Sequence, residues 1–263
     1  MHLDYNSEIN QIKLFYSALQ YYQIRDNVQW GAQRKMDSGF EREELLIGQE
    51  KLDRLSRASV LVFGVGGVGG YTAECLARAG IGHLTLVDSD KVDITNINRQ
   101  ILALNSTIGR YKVDVCKERI LDINPEAEVI TKQLFYLPEN ADEINFYAYD
   151  YIADCIDTVA AKVDIISRAV KAGTPVISAM GAAGKLDPSG FTVTDISKTA
   201  YCPLAKVMRR ELRAIGINHL KVVYSPESPV PPKEGRRPGT ISFVPAAAGI
   251  TLAGTVVNDL LAD

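Results

Sequence analysis

The chain has 263 residues, 46% hydrophobic and 23% charged, with 29 basic against 32 acidic side chains and a net charge of -3. That length allows one large domain or two small ones, and the charge excludes a globally basic nucleic-acid binder, so any nucleic-acid partner must use a local patch. The cysteines Cys75, Cys116, Cys155 and Cys202 stand far apart with no C-x-x-C pair, which argues against a zinc knuckle or disulfide framework and for a reducing compartment.

Residues 1–35 are rich in Tyr and Gln, and charges interrupt their apolar positions, so they do not read as a secretory signal. They read as an appendage ahead of a second plausible start at Met36, or alternatively as an N-terminal helix packed on the body. DSGFEREELLIGQEKLDRLSRA then predicts one amphipathic helical region, with Leu45, Leu46, Leu52 and Leu55 at helical spacing. From Ser59 strands and helices alternate. SVLVFG is a strand, GGYTAECLARAGI a helix ended by Gly80, HLTLVD a strand, and YKVDVCKERILDIN a helix stopped at Asn124-Pro125. AEVITKQ and a fully buried YDYIADCID are strands, VAAKVDIISRAVKAG is a helix ended by Gly173, and TPVISAM is again a strand. This order predicts an α/β fold, a doubly wound Rossmann-like sheet with helices on both faces, over roughly residues 40–195.

Beyond it lies a C-terminal extension. YCPLAKVMRRELRAIGI predicts a basic helix and SPESPVPPKEGRRPG a Pro/Gly-rich loop. From Thr240 a last strand and helix are expected to return to the sheet. Their run ISFVPAAAGITLAGTVVNDLLA is the one candidate membrane span, but Pro245 interrupts it and Asn258 and Asp259 follow. A core strand and helix is the better reading, membrane association is not expected, and the chain is read as cytoplasmic.

The chemistry is concentrated early. Gly64-Val65-Gly66-Gly67-Val68-Gly69 fits G-x-G-x-x-G between a strand and a helix, where backbone N–H groups meet a phosphate. Asp88 ends the next strand, placed to accept from a ribose diol. So far an NAD-dependent dehydrogenase fits equally well. Asn96, Asn98, Arg99 and Gln100 follow that strand, and Lys112 starts the next helix. Two fixed cations suit a triphosphate whose leaving oxygen gains negative charge. Asp157, at the end of the buried strand, would be repulsive beside phosphates unless Mg²⁺ bridged them. Together these residues describe ATP cleavage.

The same residues carry a resemblance. GVGGVG, VDSD…NINRQ, the GRYK of Gly109 to Lys112 and the acid in DCIDT are similar to the ubiquitin-activating-type adenylyltransferase superfamily. That resemblance implies that Gly66 and Gly67 lie under the phosphates and Asp88 holds the ribose, with Asn96 and Asn98 beside the phosphates. It implies that Arg99 and Lys112 stabilise departing pyrophosphate and that Asp157 binds magnesium. Arg42 in FEREELLIG resembles the arginine that family homodimers insert into the neighbouring subunit's ATP site, although Gly39 replaces the first arginine of the R-x-x-R pattern. DPSGFTVTDISKTAYCPLAKVMRREL and GTISFVPAAAGI resemble a branch that dehydrates threonylcarbamoyladenosine in tRNA. Residues 36–263 are then a single adenylating domain with a tRNA-facing segment over about 196–240, and the superfamily's paired zinc cysteines are missing, as that branch implies.

Lys206, Arg209, Arg210 and Arg213 recur on one helical face, with Arg236 and Arg237 downstream. They are either a solvated charged face or the place where tRNA phosphates dock. Cys202, before Pro203 at the start of that helix, is either a thiol activated by the helix N-terminus or part of a tRNA-contacting segment. Cys75, Cys116 and Cys155 are expected to be buried and His83 structural. Three functions stay open: tRNA dehydration, activation of a sulfur-carrier protein's C-terminal glycine, and a non-catalytic ATP-binding regulator. The need for a sulfur-relay partner protein is also open.

Overall fold

A computed structural model describes residues 38–236 and 238–262, so the expectations for residues 1–35 and for Arg237 lie outside the described residues. Two short helices, α1 (Glu41–Ile47) and α2 (Gln49–Arg57), lead into β1 (Ser59–Phe63). The alternation continues through α3 (Gly69–Arg78), β2 (His83–Val87), α4 (Lys112–Ile123), β3 (Glu128–Lys132), β4 (Tyr151–Asp154), α5 (Val159–Ala172) and β5 (Val176–Ala179). Then come β6 (Thr192–Asp195), α6 (Pro203–Ala214), β7 (Lys221–Tyr224) and the long α7 (Phe243–Leu261).

The seven strands form one sheet in the order β3-β2-β1-β4-β5-β7-β6. All neighbours are parallel except β6, which runs antiparallel to β7 at the edge. The strand order reverses direction at β1, between β2 and β4, and the carboxyl ends flanking such a switch point form a ligand crevice. Residues of β1 alternate between two cores, as a strand's two-residue period demands. Val60 and Val62 pack with Leu84, Leu86, α3, α4 and α7 on one face. Leu61 and Phe63 pack with α5, Tyr136 and Phe146 on the other. A third cluster around Met180, Met208 and Val222 seats α6.

Three expectations are corrected. The first helical region is two helices, because Gly48 adopts φ 83° between them; Leu52 and Leu55 are buried while Leu45 and Leu46 are more than four-fifths exposed. The sheet does not end near residue 195, since β7 joins it later. No strand forms at Thr240. Instead α7 begins at Phe243 with Pro245 in its first turn, where a missing N–H costs no helical bond. α7 is the one described helix long and apolar enough to cross a membrane. It is packed inside the fold: a Cβ on Gly249 would stand 2.4 Å from the Val68 carbonyl oxygen and 2.9 Å from Tyr71 Cβ.

Candidate active site

The glycine loop leaves β1 at the switch point. Gly64 takes φ 79°, and a Cβ on Gly69 would lie 1.7 Å from the Gly64 carbonyl oxygen, so only glycine permits this tight strand-to-helix turn. Gly66 and Gly67 line its outer side. A Cβ on Gly66 would meet nothing nearer than Gln100 Nε2 at 3.7 Å, whereas one on Gly67 would lie 3.2 Å from Pro245 Cβ and 3.7 Å from Arg99 Cγ. No side chain caps the first turn of α3; within it the Gly70 N–H donates to the Gly66 carbonyl at 2.9 Å and the Thr72 N–H to the Val68 carbonyl at 3.0 Å, so the turn presents the positive end of the helix dipole to the loop.

Asp88 stands one residue past β2 rather than in it. Its Oδ2 accepts from the Val65 N–H at 2.9 Å and its Oδ1 from the Asp90 N–H at 2.8 Å, so it braces the glycine loop. Burial raises its carboxyl above the ordinary range, opposed by the Lys112 charge and by those two N–H donors. Lys112 is buried at the first position of α4, with Nζ 2.7 Å from Asp90 Oδ2.

The segment after β2 wraps the loop's other side. Asn96 is buried and accepts the Asp93 N–H in a capping box, so its carbonyl oxygen orders the segment. Asn98 donates to the Thr240 carbonyl at 2.9 Å, and Arg99 Nη1 donates to Thr95 O and Asn98 Oδ1, each at 2.9 Å. Arg99 is thus a half-buried cation held beside Gly67. Gln100 is about nine-tenths buried, with its Oε1 buried and unpartnered. Sequence reasoning placed Gln100 in the segment without giving it a role.

A buried polar knot sits under the end of β4. Asp154 and Lys162 have fully buried side chains 2.8 Å apart. The Ser178 hydroxyl donates to Asp154 at 2.6 Å, while Lys162 Nζ donates to the carbonyls of Ile156 and Ala179 at 3.1 and 2.9 Å. Asp157 lies three residues past β4, exposed in the loop that this knot anchors. Sequence reasoning put it at the strand's end and missed Asp154 and Lys162, although an acid and a lysine in ADCIDTVAAK were visible.

No group of three or more potential metal-ligating side chains occurs among the described residues. A single exposed carboxylate suits Mg²⁺, which is commonly held by one or two carboxylates, phosphate oxygens and water. Arg42 is exposed on α1, and no bond among the described residues joins it to the glycine loop. Lys206, Arg209, Arg210 and Arg213 line, with Ala214, a groove of about 400 Å³. Arg209 is anchored to the carbonyl and hydroxyl of Thr199, and Arg210 pairs with Glu211. Cys202 is buried against Met180, Ala205 and Met208, a core residue rather than a presented nucleophile. Burial raises the thiols of Cys75, Cys116 and Cys155, the last two to about 12.

With that geometry in hand, the ThiF family model matches residues 40–261. The tRNA threonylcarbamoyladenosine dehydratase of Bacillus subtilis is 46% identical over 241 residues, covering 85% of this chain and 95% of that protein. Its namesake in Escherichia coli is 41% identical over 169 residues, a match to 64% of this chain and 63% of that protein. The crystal structure of E. coli tRNA N6-threonylcarbamoyladenosine dehydratase, TcdA, in complex with ATP superposes with a TM-score of 0.78 at 35% identity, covering 84% of this chain and 93% of that one.

Proposed function

The chain belongs to the ThiF family, and on that premise we propose that it dehydrates threonylcarbamoyladenosine in tRNA at the expense of ATP. The observation that carries this reading is the conjunction of two facts. The glycine loop, Asp88, Arg99 and Lys112 gather beyond the carboxyl ends of β1 and β2, and relatives matched over nearly the whole domain bear that activity in their names.

A carboxylate is a poor acyl donor because its leaving group would be an oxide. The threonyl carboxylate attacks the α-phosphorus of ATP, the bond to the bridging oxygen breaks, and pyrophosphate departs. The substrate's own carbamoyl group then attacks the activated carbonyl, closing a ring and expelling AMP. The net loss from the nucleoside is one water, and no protein nucleophile is needed, which agrees with the burial of Cys202. The chain's contribution is position and charge. Gly64, Gly66, Gly67 and the α3 N–H groups cradle the phosphates while Asp88 takes the ribose hydroxyls. Asn96 and Asn98 order the segment beside the phosphates, and Arg99 and Lys112 meet charge building on the leaving group. Asp157 would hold Mg²⁺, which supplies further neutralisation of phosphate charge.

The wider reading is a cytoplasmic homodimer in which Arg42 enters the neighbour's site. The exposed Leu45 and Leu46 beside Arg42 on α1 support a second copy covering this helix. Residues 36–263 then act as one adenylating domain, with Lys206, Arg209, Arg210 and Arg213 in the tRNA-facing segment 196–240. Ring closure involves no sulfur, so the relay partner is left out of the proposed cycle.

The test is mass spectrometry of nucleosides from tRNA incubated with protein, ATP and Mg²⁺, with Asp157→Ala as control. The expected result is loss of one water from threonylcarbamoyladenosine with wild type alone. Unchanged tRNA, with ATP–pyrophosphate exchange stimulated by a small carrier protein, would replace this reading with carrier activation. Mixing Arg42→Ala with Arg99→Ala subunits tests the shared site: activity recovers in mixed dimers if Arg42 acts across the interface.

A further inference from the structure

We propose that Tyr201 is a stacking platform for an unpaired RNA base, set at the head of the basic groove and next to the mouth of the adenylating site. This rests on the tRNA reading above and names a base contact within it.

Among the described residues, Tyr201 is the one non-glycine with positive φ, at 58°. The left-handed region is disfavoured for a bulky side chain, and a glycine or asparagine would occupy it more easily. The turn into α6 does not require an aromatic there. The restriction imposed by Pro203 falls on Cys202, which is extended as that restriction demands (φ -92°, ψ 115°). Nor does Tyr201 gain from packing, since its side chain is 72% exposed. A residue held in a costly backbone state while contributing nothing to the core points to a role outside the fold.

The neighbours on both sides fix that presentation. The Thr199 hydroxyl donates to Ile196 O at 2.7 Å, Arg209 donates to Thr199 O at 3.0 Å, and the Cys202 N–H donates to Ala200 O at 2.7 Å. Cys202 is then buried in the core under α6. The ring therefore projects from a turn anchored before and after it, so little order is left to impose on binding.

Two surroundings identify the ligand. Five residues on, Lys206 begins the four-cation face that lines the groove, spaced so that Lys206, Arg209, Arg210 and Arg213 share one side of α6. Among the described residues, only Arg210 of these four has an acidic partner, Glu211. A cationic groove with an exposed ring at its end is the combination that holds a single strand by its phosphates and stacks one of its bases. The turn that carries the ring is tied to the sheet on the side of the chemistry. Cys202 Sγ would be 3.5 Å from a Cβ on Gly181, two residues past β5, and β5 is two strand spacings, roughly 10 Å, from β1 and the glycine loop. A base flanking the one being modified is thus the natural occupant.

The experiment titrates a stem-loop RNA carrying 2-aminopurine beside threonylcarbamoyladenosine in its loop, without ATP, into wild type and Tyr201→Ala, Tyr201→Gly, Tyr201→Phe and Tyr201→Trp variants. Wild type, Phe and Trp are expected to quench the probe and bind alike. Ala and Gly should lose the quench and bind about 5- to 150-fold more weakly, the range for removing one stacking partner. ATP affinity should be unchanged in all five proteins. The glycine variant separates ring from backbone, because it relieves the left-handed strain while removing the aromatic. Wild-type affinity and quench in Tyr201→Gly and Tyr201→Ala, with wild type still binding RNA, overturn the platform alone. A wild-type protein that binds no RNA overturns the platform and the tRNA reading together.

Discussion

Replacing Lys162 by methionine removes the cation from a pair with no solvent on either side. Methionine is close to lysine in length, so the packing lost is small and the electrostatic change dominates. Asp154, 2.8 Å away and fully buried, keeps the Ser178 hydroxyl at 2.6 Å and a long contact from the Ile156 N–H at 3.4 Å. Breaking a buried pair by removing one partner costs about 3–5 kcal/mol, because the other charge is left uncompensated. At about 2–4 °C per kcal/mol for a domain of this size, the melting temperature should fall by about 6–20 °C. Function should fall further than stability alone explains, since Lys162 also ties down the Ile156 carbonyl beside Asp157. Denaturant unfolding of Lys162→Met, Asp154→Asn and the double variant, with ATP turnover measured well below each midpoint, is the assay. The double variant should recover part of the loss, since neither partner then leaves a buried charge. A loss below about 1 kcal/mol for Lys162→Met would refute the argument, because no uncompensated charge would have been created.

Asp88 makes a prediction about pH. Burial raises its carboxyl above its ordinary value of 3.8, and accepting two ribose hydroxyls favours the anion. ATP affinity should therefore fall as pH drops through a midpoint above that value, with the fall absent in Asp88→Asn, as calorimetry across acid pH would report. The sign for folding is opposite: a raised native value contributes stability below the ordinary value that is lost as pH rises through the raised one. Gly249→Ala places a methyl 2.4 Å from the Val68 carbonyl oxygen, so α7 must shift off the start of α3. A loss of about 1–3 kcal/mol in thermal unfolding is expected, and an unchanged melting temperature would show that the helices yield freely. Gln100→Leu removes an unpartnered buried carbonyl, so stability should hold or rise. Its amide nitrogen is also lost beside Gly66, so nucleotide titration should show weaker ATP binding with the fold intact.

The central sheet was legible because its strands are short apolar runs with clear stops. YIAD is buried along its whole length and SVLVF from Val60 onward, as strands covered on both faces must be. Gly173 ends α5 in the left-handed conformation expected of it. The edge was harder. TVTD in β6 is half-exposed and KVVY in β7 opens on an exposed lysine, so neither run stands out from a loop. Ile241 and Phe243 suggested a strand by residue type, but long-range packing of α7 on α3 decides that segment. At the site, Gly64 to Gly69, Asp88 and Lys112 follow local spacing rules and were readable. The contacts of Pro245 with Gly67, of Asn98 with the Thr240 carbonyl and of Lys162 with Asp154 cross between elements, where one sequence offers no spacing to count.

Those cross-element contacts also explain how a site rich in fixed charge survives before nucleotide arrives. Lys112 rests on Asp90, Lys162 on Asp154, Arg99 on Thr95 and Asn98, and Asp88 on two N–H groups, so each of these four groups at the carboxyl ends of the strands holds a piece of its own chain. The partners divide into two kinds. Asp154 is fully buried and Lys162 has no path to a ligand, so that pair is a permanent part of the framework. Lys112 is buried but its acceptor Asp90 has a side chain 63% exposed, and Arg99 is half-buried beside Gly67, so on the proposed reading these two cations would trade their present acceptors for phosphate oxygens. Charge-assisted bonds to phosphate are stronger than those to neutral carbonyls, and they strengthen again where a leaving group gathers charge. On the proposed reading, the framework cation sets where Asp157 stands, while Lys112 and Arg99 would meet the charge that the reaction moves.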